Sequence, residues 1–133
     1  MSNNSFYLLD NDQVLKELLK QAKSDDKYYL KALYQIAYSI LKERLEDDPH
    51  PGKTDYVRLG ILLREMGEFD ESFGYFEKAL ALGSDSEALY ETGNLFKQSG
   101  DFVKALDYLE KIPENERDEK ILELIEYCRK SKS

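Results

Sequence analysis

The sequence predicts an all-α fold in which helical hairpins stack into a solenoid, and three observations support this prediction. Apolar residues recur at helical spacing along most of the chain. Glycines at positions 67, 83 and 100 separate these segments, as expected of residues that end helices in a left-handed turn. The stretch EMGEFDESFGYFEKAL at residues 65–80 returns in related form, QSGDFVKALDYLEKI, at residues 98–112. Such a repeat is typical of stacked helical units.

The composition indicates one globular domain, predicted to cover residues 1–133. Apolar residues make up 41% of the chain and charged residues 35%. A formal net charge of −8 repels phosphate backbones and anionic lipids, so we expect neither nucleic acid nor membrane as a partner. The first residues lack a signal-peptide pattern, and a lone Cys128 cannot form an internal disulfide. These features favour a cytoplasmic location.

Two helices are predicted over residues 12–46. The first, residues 12–23, is amphipathic, and the residues SDD at positions 24–26 end it. The second, Lys27–Leu45, is apolar around most of its circumference, which predicts a core helix covered on two sides. The alternative is a self-association surface that contains Tyr28, Tyr34 and Tyr38. Two prolines then make Glu46–Lys53 a loop.

Five further helices follow the loop. Ser84 and Glu87 have the spacing of a capping box, and Pro113 is expected to end the helix before it. The predicted helices are Thr54–Met66, Phe69–Leu82, Ser86–Gln98, Phe102–Ile112 and Arg117–Lys130.

The internal repeat defines two units, residues 53–85 and 86–113. Aligning Tyr56–Ala79 with Leu89–Ile112 gives seven identities in 24 pairs. The identical pairs are Gly60/Gly93, Leu62/Leu95, Gly67/Gly100, Phe69/Phe102, Tyr75/Tyr108, Glu77/Glu110 and Lys78/Lys111. Gly60 and Gly93 fit positions where two helix backbones approach closely and only a very small side chain is accommodated.

These residues resemble the tetratricopeptide repeat family, whose unit is a pair of antiparallel helices. The resemblance rests in the first unit on Leu59-Gly60, Leu63, Gly67, Phe69, Ser72, Phe76 and Ala79, and in the second on Gly93, Phe96, Gly100, Phe102, Ala105 and Leu109. It implies a right-handed helical-hairpin solenoid with two clear units. A degenerate helix pair over residues 12–46 would precede them, and a capping helix over residues 115–130 would follow. Ile112 replaces Ala79 of the first unit, so we expect this last helix to dock differently from a further repeat.

The resemblance also implies a concave surface, lined by the first helix of each unit, that binds a segment of another protein. The inward positions that we expect to be exposed include Val57 and Glu65 in the first unit and Glu91 and Gln98 in the second. The candidate contact residues are Arg58, Ile61, Arg64, Tyr90, Asn94 and Lys97. The alternative is that these positions form ordinary solvated helix faces.

Charge on the predicted surface favours a partner that carries basic residues. The acidic residues at or near it are Asp55, Glu65, Glu87 and Glu91. Glu87 and Glu91 stand where one variant of the family uses cations to grip a terminal carboxylate, so we expect no such clamp here.

Three functions remain open. The leading one is an adaptor or scaffold that binds part of another protein. The second is a small secretion-type chaperone that holds a client. The third is a structural subunit of a larger assembly, in which another chain covers the helix Lys27–Leu45.

Catalysis, cofactors and metals have little support in the sequence. The glycines do not cluster as a phosphate-binding loop, and His50, the single histidine, lies between two prolines in the predicted loop. A dyad of His50 with Cys128 is the one nucleophilic arrangement available. Because Cys128 lies within a helical pattern, it is better explained as a small core residue. We therefore predict that the protein is not an enzyme.

Overall fold

The computed structural model describes residues 27–132, and this range contains only helices and their connections. The α-helices are α1 (Lys27–Glu46), α2 (Lys53–Glu65), α3 (Phe69–Leu82), α4 (Ser86–Gln98), α5 (Phe102–Leu109) and α6 (Glu119–Ser131), with a 3-10 turn at Glu114–Glu116. Each α-helix packs on the next, and α2, α4 and α6 also stand side by side. The predicted fold class, an all-α solenoid of helical hairpins, is therefore confirmed. The helix expected over residues 12–23 lies outside the described residues.

In each of the two hairpins, the helices pack closely at a glycine that the repeat pattern identified. A Cβ atom at Gly60 would lie 2.6 Å from the ring of Phe76, and one at Gly93 would lie 2.6 Å from the side chain of Leu109. Ser72 adds a hydrogen bond from its Oγ to the Gly60 carbonyl at 2.6 Å. The predicted close approach is confirmed, because any larger residue at these positions would push the hairpin apart.

Glycine ends both first helices in the same way. Gly67 and Gly100 have φ angles of 84° and 87°, in the left-handed region. The residue after each glycine donates its amide to a carbonyl of the last helical turn, Glu68 to Leu63 at 2.9 Å and Asp101 to Phe96 at 2.8 Å. This arrangement satisfies carbonyls at the helix end that have no partner within the helix.

The predicted capping box is wrong by one residue. Helix α4 begins at Ser86, so Asp85 occupies the cap position, and its Oδ1 accepts a hydrogen bond from the Ala88 amide at 2.9 Å. Aspartate is among the strongest N-cap residues. Asp118 caps α6 in the same way through the Ile121 amide.

Helix α5 ends at Leu109, three residues before the predicted end. The Ile112 side chain is completely buried among residues of α4, α5 and α6, and the chain turns after Leu109 to place it there. The Arg117 guanidinium donates to the carbonyls of Ile112 and Glu110 at 2.9 and 3.1 Å, which closes this turn. The last helix consequently begins at Glu119 instead of Arg117.

Helix α1 packs against the first repeat through one face. Ala37 and Leu41 are fully buried against Leu59 and Leu62 of α2. Tyr34 and Tyr38 are half-buried at the edge of this cluster, whereas the side chain of Ile36 is 51% exposed on another face. None of the helices within residues 27–132 has the length and apolar character needed to cross a membrane.

Candidate protein-binding surface

The predicted contact residues lie on the helices that begin the successive units, α2 and α4, which stand next to α6. We call this row the inner surface. It comprises Arg58, Ile61 and Arg64 of α2, Tyr90, Asn94 and Lys97 of α4, and Lys120 and Tyr127 of α6. Several of these side chains are held in place by contacts with a neighbouring helix.

Arg64 is buried, which corrects its expected exposure. Its side chain is 7% exposed, and its Nη1 donates to the Glu91 carboxylate at 2.8 Å and to the Glu91 carbonyl at 3.1 Å. Its Nε donates to the Glu65 carboxylate at 3.1 Å. With its donors directed at α2 and α4 themselves, Arg64 acts as a bridge between the two repeats.

Val57 is the second inward position that is not exposed. Only 3% of its surface reaches solvent, because it packs in the cluster that contains Phe76 and Ala79 of α3 and Leu95 of α4. Val57 therefore belongs to the core between the repeats, and a partner cannot reach it.

Cation–ring contacts join α4 to α6. The Lys120 ammonium lies 4.7 Å from the centre of the Tyr90 ring, and the Lys97 ammonium lies 5.2 Å from the centre of the Tyr127 ring. An ammonium over an aromatic face is attracted by the ring electrons. Burial raises the pKa of Tyr90, and the nearby Glu91 carboxylate raises it further, so this hydroxyl stays neutral and can donate a hydrogen bond.

Four predicted contact residues remain partly open to solvent between these bridges. Arg58 and Ile61 of α2 and Tyr90 and Asn94 of α4 are all half-buried. They combine a cation, an aliphatic side chain, a phenol and an amide. Such a set can cover apolar groups of a bound segment and also form hydrogen bonds with it.

The sequence pattern does not assign Lys120 or Tyr127 to this surface, and it indicates Tyr34 only as part of a self-association surface. Lys120 and Tyr127 come from α6, for which the sequence predicts only a capping role. Tyr34 comes from α1 and packs at the edge of the cluster that contains Leu59 and Leu62 of α2. Burial raises the pKa of Tyr34, and the nearby Glu65 carboxylate raises it further. The repeat pattern does not identify these residues, because they lie on α1 and α6, the helices that flank the two repeats.

The acidic residues beside the inner surface differ in how far they are paired. Glu65 accepts hydrogen bonds from Arg64 and from the Gln98 amide, and Glu91 accepts from Arg64. Asp55, by contrast, pairs with Arg44 of α1. Glu87 in the first turn of α4 is exposed.

His50 and Cys128 are not brought together as a catalytic pair. His50 is exposed in the loop between α1 and α2, where its backbone amide donates to the Asp48 carboxylate. Cys128 is completely buried in the cluster formed by α4, α5 and α6. Burial raises the pKa of the Cys128 thiol, which keeps it protonated and poorly nucleophilic. Cys128 is thus the core residue that its helical position predicted.

The fold and the inner surface define an α-helical repeat protein, and the comparisons identify which kind. Family models described as tetratricopeptide repeat match residues 56–87 and 87–118. A crystal structure of a thermophilic TPR protein from Thermus thermophilus matches with a TM-score of 0.70 and 20% identity, over 94% of this chain and 61% of that chain. This chain thus spans about three fifths of the length of that protein. No curated protein gives a match.

Through residues 56–118 the chain belongs to the tetratricopeptide repeat family. Repeats of this family generally act as protein–protein interaction modules, and its members are typically not enzymes.

Proposed function

We propose that this protein is an adaptor or scaffold whose inner surface binds a segment of another protein. The observation that carries the proposal is the row of half-buried side chains, Arg58, Ile61, Tyr90 and Asn94, held between fixed bridges. Arg64 joins α2 to α4, and Lys97 and Lys120 join α4 to α6. Because the bridges fix the spacing of the helices before a partner arrives, less conformational entropy is lost on binding.

The residues of this row suit an extended or helical polypeptide. The Asn94 amide can donate to a backbone carbonyl and accept from a backbone N–H, while Ile61 supplies apolar contact. Tyrosine and arginine are enriched among the residues that dominate binding energies at interfaces, and the row contains Tyr90 and Arg58.

Charge favours a partner segment that carries lysine or arginine. Glu65 and Glu87 are exposed, and the Glu65 carboxylate keeps lone pairs beyond those used by Arg64 and Gln98. The same charge, within a chain of net charge −8, disfavours nucleic acid and anionic membranes as partners. We further propose a cytoplasmic location, with which the single, buried, unpaired Cys128 thiol is consistent.

The proposal is tested by capturing partners from a lysate of the native cell and quantifying them by mass spectrometry. The bait proteins are the wild type, the double variant Arg58→Glu/Asn94→Ala, and Lys111→Glu as a control with the same change of charge. Lys111 is exposed and follows α5, which does not belong to the inner surface. We expect a partner that is retained by the wild type and by Lys111→Glu but lost with the double variant. Equal retention by all three baits would refute an inner-surface site.

One observation favours the structural-subunit alternative. Helix α1 carries a shallow groove formed by Ala32, Gln35, Ile36, Ser39, Ile40 and Glu43, with Ile36 half exposed. If a second copy or another subunit covers this groove, Ile36→Glu should dissociate the assembly. The measurement is the solution mass of the wild type and the variant over a range of concentrations. A concentration-independent monomer mass for the wild type would exclude self-association through Lys27–Leu45.

The chaperone alternative makes a different prediction about the partner. A client held by a secretion-type chaperone should be insoluble when it is produced alone and soluble when it is produced with this protein. A partner that is equally soluble under both conditions would favour the adaptor.

A further inference from the structure

A small cleft lies where the end of α1 meets α2 and α3. Its volume is about 160 Å³, and Leu45, Pro51 and Leu59 form its apolar wall. Leu59 is fully buried, so the wall is anchored in the core. The cleft is open to solvent and has room for a short side chain.

Two lysine ammonium groups meet around one tyrosine at this cleft. The Lys42 Nζ lies 3.4 Å from the Tyr75 hydroxyl oxygen, to which it donates. The Lys78 Nζ lies 5.1 Å from the centre of the Tyr75 ring and 5.8 Å from the centre of the Tyr56 ring. The two rings are stacked, with their centres 6.3 Å apart. This stacking holds Tyr56 and Tyr75 in place, and their side chains in turn position Lys42 and Lys78.

The charge of the cleft is opposite to that of the whole molecule. Its lining contains two lysines, Lys42 and Lys78, and one carboxylate, Glu46. The hydrogen bond with Tyr75 raises the pKa of Lys42, so this ammonium stays charged at neutral pH. The Lys78 side chain rests on aromatic rings. A local positive site within a chain of net charge −8 favours an anion that approaches to contact distance, because the field of distant surface charges is screened over about 8 Å at physiological salt.

The cleft is separate from the inner surface. Tyr56 and Leu59 line the cleft, whereas Arg58 and Ile61 belong to the inner surface. Residues two apart on an α-helix point about 200° apart, so the two sites use opposite sides of α2. An occupant of the cleft therefore does not compete with a segment on the inner surface.

We propose that this cleft binds the carboxylate of an acidic side chain, best a glutamate, from a partner polypeptide. The apolar wall contacts the methylene groups, and Lys42 and Lys78 bind the carboxylate from two sides. The Tyr75 hydroxyl accepts from Lys42 and keeps its own proton to donate. A charge-assisted hydrogen bond is stronger than a neutral one, which favours a carboxylate over an amide of the same shape. The small, open cleft suits a side chain whose backbone stays outside.

The test is an NMR titration of the full chain with capped glutamate, with capped glutamine as the uncharged control of the same shape. We expect capped glutamate to shift the amide signals of Tyr56 and Tyr75 in a saturable manner and capped glutamine to leave them unchanged. Lys42→Met and Lys78→Met should each weaken binding by about tenfold, the effect of losing one charged hydrogen bond.

Lys111→Met is a matched control for Lys78→Met. Lys111 occupies the equivalent position in the second repeat, and its ammonium lies 4.8 Å from the centre of the Tyr108 ring. The substitution Lys111→Met removes the same charge and an equivalent ring contact, but outside the cleft. We therefore expect its affinity for capped glutamate to be unchanged. An equal loss in both variants, or equal binding of capped glutamine, would overturn the proposal.

A capped peptide with one glutamate among glycines tests whether the source of the carboxylate is a polypeptide. Tighter binding of the peptide than of acetate supports this source, whereas equal affinity would overturn it in favour of a small free carboxylate. The variant Arg58→Glu/Asn94→Ala should keep its affinity for capped glutamate. Failure of the inner-surface proposal is thereby distinguishable from failure of this one.

Discussion

Arg64 of α2 donates from one guanidinium nitrogen to both the side chain and the backbone of Glu91 in α4, at 2.8 and 3.1 Å. The two side chains are 7% and 16% exposed, so the ion pair is largely removed from solvent. It fixes the first helices of the two repeats relative to each other. The inner surface depends on this spacing, which gives Arg64 a structural role where contact with a partner was predicted.

Replacing Arg64 with alanine should destabilise the protein by about 2–4 kcal/mol. The change leaves the Glu91 carboxylate buried without its cation, and removal of one partner from a buried pair costs more than the net value of the pair. Urea unfolding followed by circular dichroism measures the loss. The matched control is Arg129→Ala, because Arg129 pairs with Glu110 at 2.9 Å while both side chains are about half exposed. That variant should lose less than about 1 kcal/mol. Similar losses in both variants would contradict the bridging role.

Gly93→Ala should destabilise the protein by about 1–3 kcal/mol, because the added Cβ would meet the Leu109 side chain at 2.6 Å. Gly74→Ala is the opposite case within α3, where an added Cβ would meet nothing within 4 Å. There the lower conformational entropy of the unfolded chain should stabilise the protein by about 0.5–1 kcal/mol. Thermal unfolding of the two variants should shift in opposite directions. A shift in the same direction would count against the close helix crossing.

Ile112→Ala should cost about 2–4 kcal/mol, because Ile112 is completely buried where α5 and α6 meet. Leu82→Ala provides the control, since Leu82 at the end of α3 is 56% exposed. We expect that variant to change stability by less than about 0.5 kcal/mol. Hydrogen exchange of the α6 amides should accelerate in Ile112→Ala alone. Unchanged protection of α6 would contradict its docking through this residue.

Asp85 should make stability depend on pH in the acidic range. Burial opposes ionisation of this carboxylate, but the hydrogen bonds from Lys53 at 2.8 Å and from the Ala88 amide outweigh it and lower its pKa. A group with a lowered pKa in the folded state stabilises the protein above its unfolded pKa, near 3.9 for aspartate, and loses this contribution as the pH falls through the folded pKa. Asp85→Asn should therefore be less stable than the wild type at pH 7. The difference should shrink below about pH 4. A constant difference from pH 7 to pH 3 would contradict the assignment.

The repeated residues predicted the fold because each occupies a position that the local geometry of a hairpin requires. Gly60 and Gly93 recur at the helix crossings, and Gly67 and Gly100 recur at the helix ends, in agreement with the observed contacts and φ angles. These positions depend on neighbours within the same hairpin, which lie close in the sequence. One sequence was therefore sufficient to predict the architecture.

Contacts between hairpins were not predictable in the same way. Arg64 and Lys97 are equivalent positions of the repeat, yet Arg64 is buried against Glu91 and Lys97 lies over the Tyr127 ring. The difference comes from the residue that the next helix places at the contact point, which is Glu91 for Arg64 and Tyr127 for Lys97. The repeat pattern does not specify this residue. The early end of α5 has a similar cause, since burying Ile112 against α6 outweighs its local helical pattern.

Site-specific photocrosslinking tests most directly whether the inner surface is the binding site. A photoreactive residue is introduced at Ile61 or Asn94 on the inner surface, and at the exposed Asp107 of α5 as the control. After illumination in the native cell, the account predicts one common crosslinked partner from Ile61 and Asn94 and none from Asp107. Crosslinks to that partner from Asp107 but not from the other two positions would contradict it.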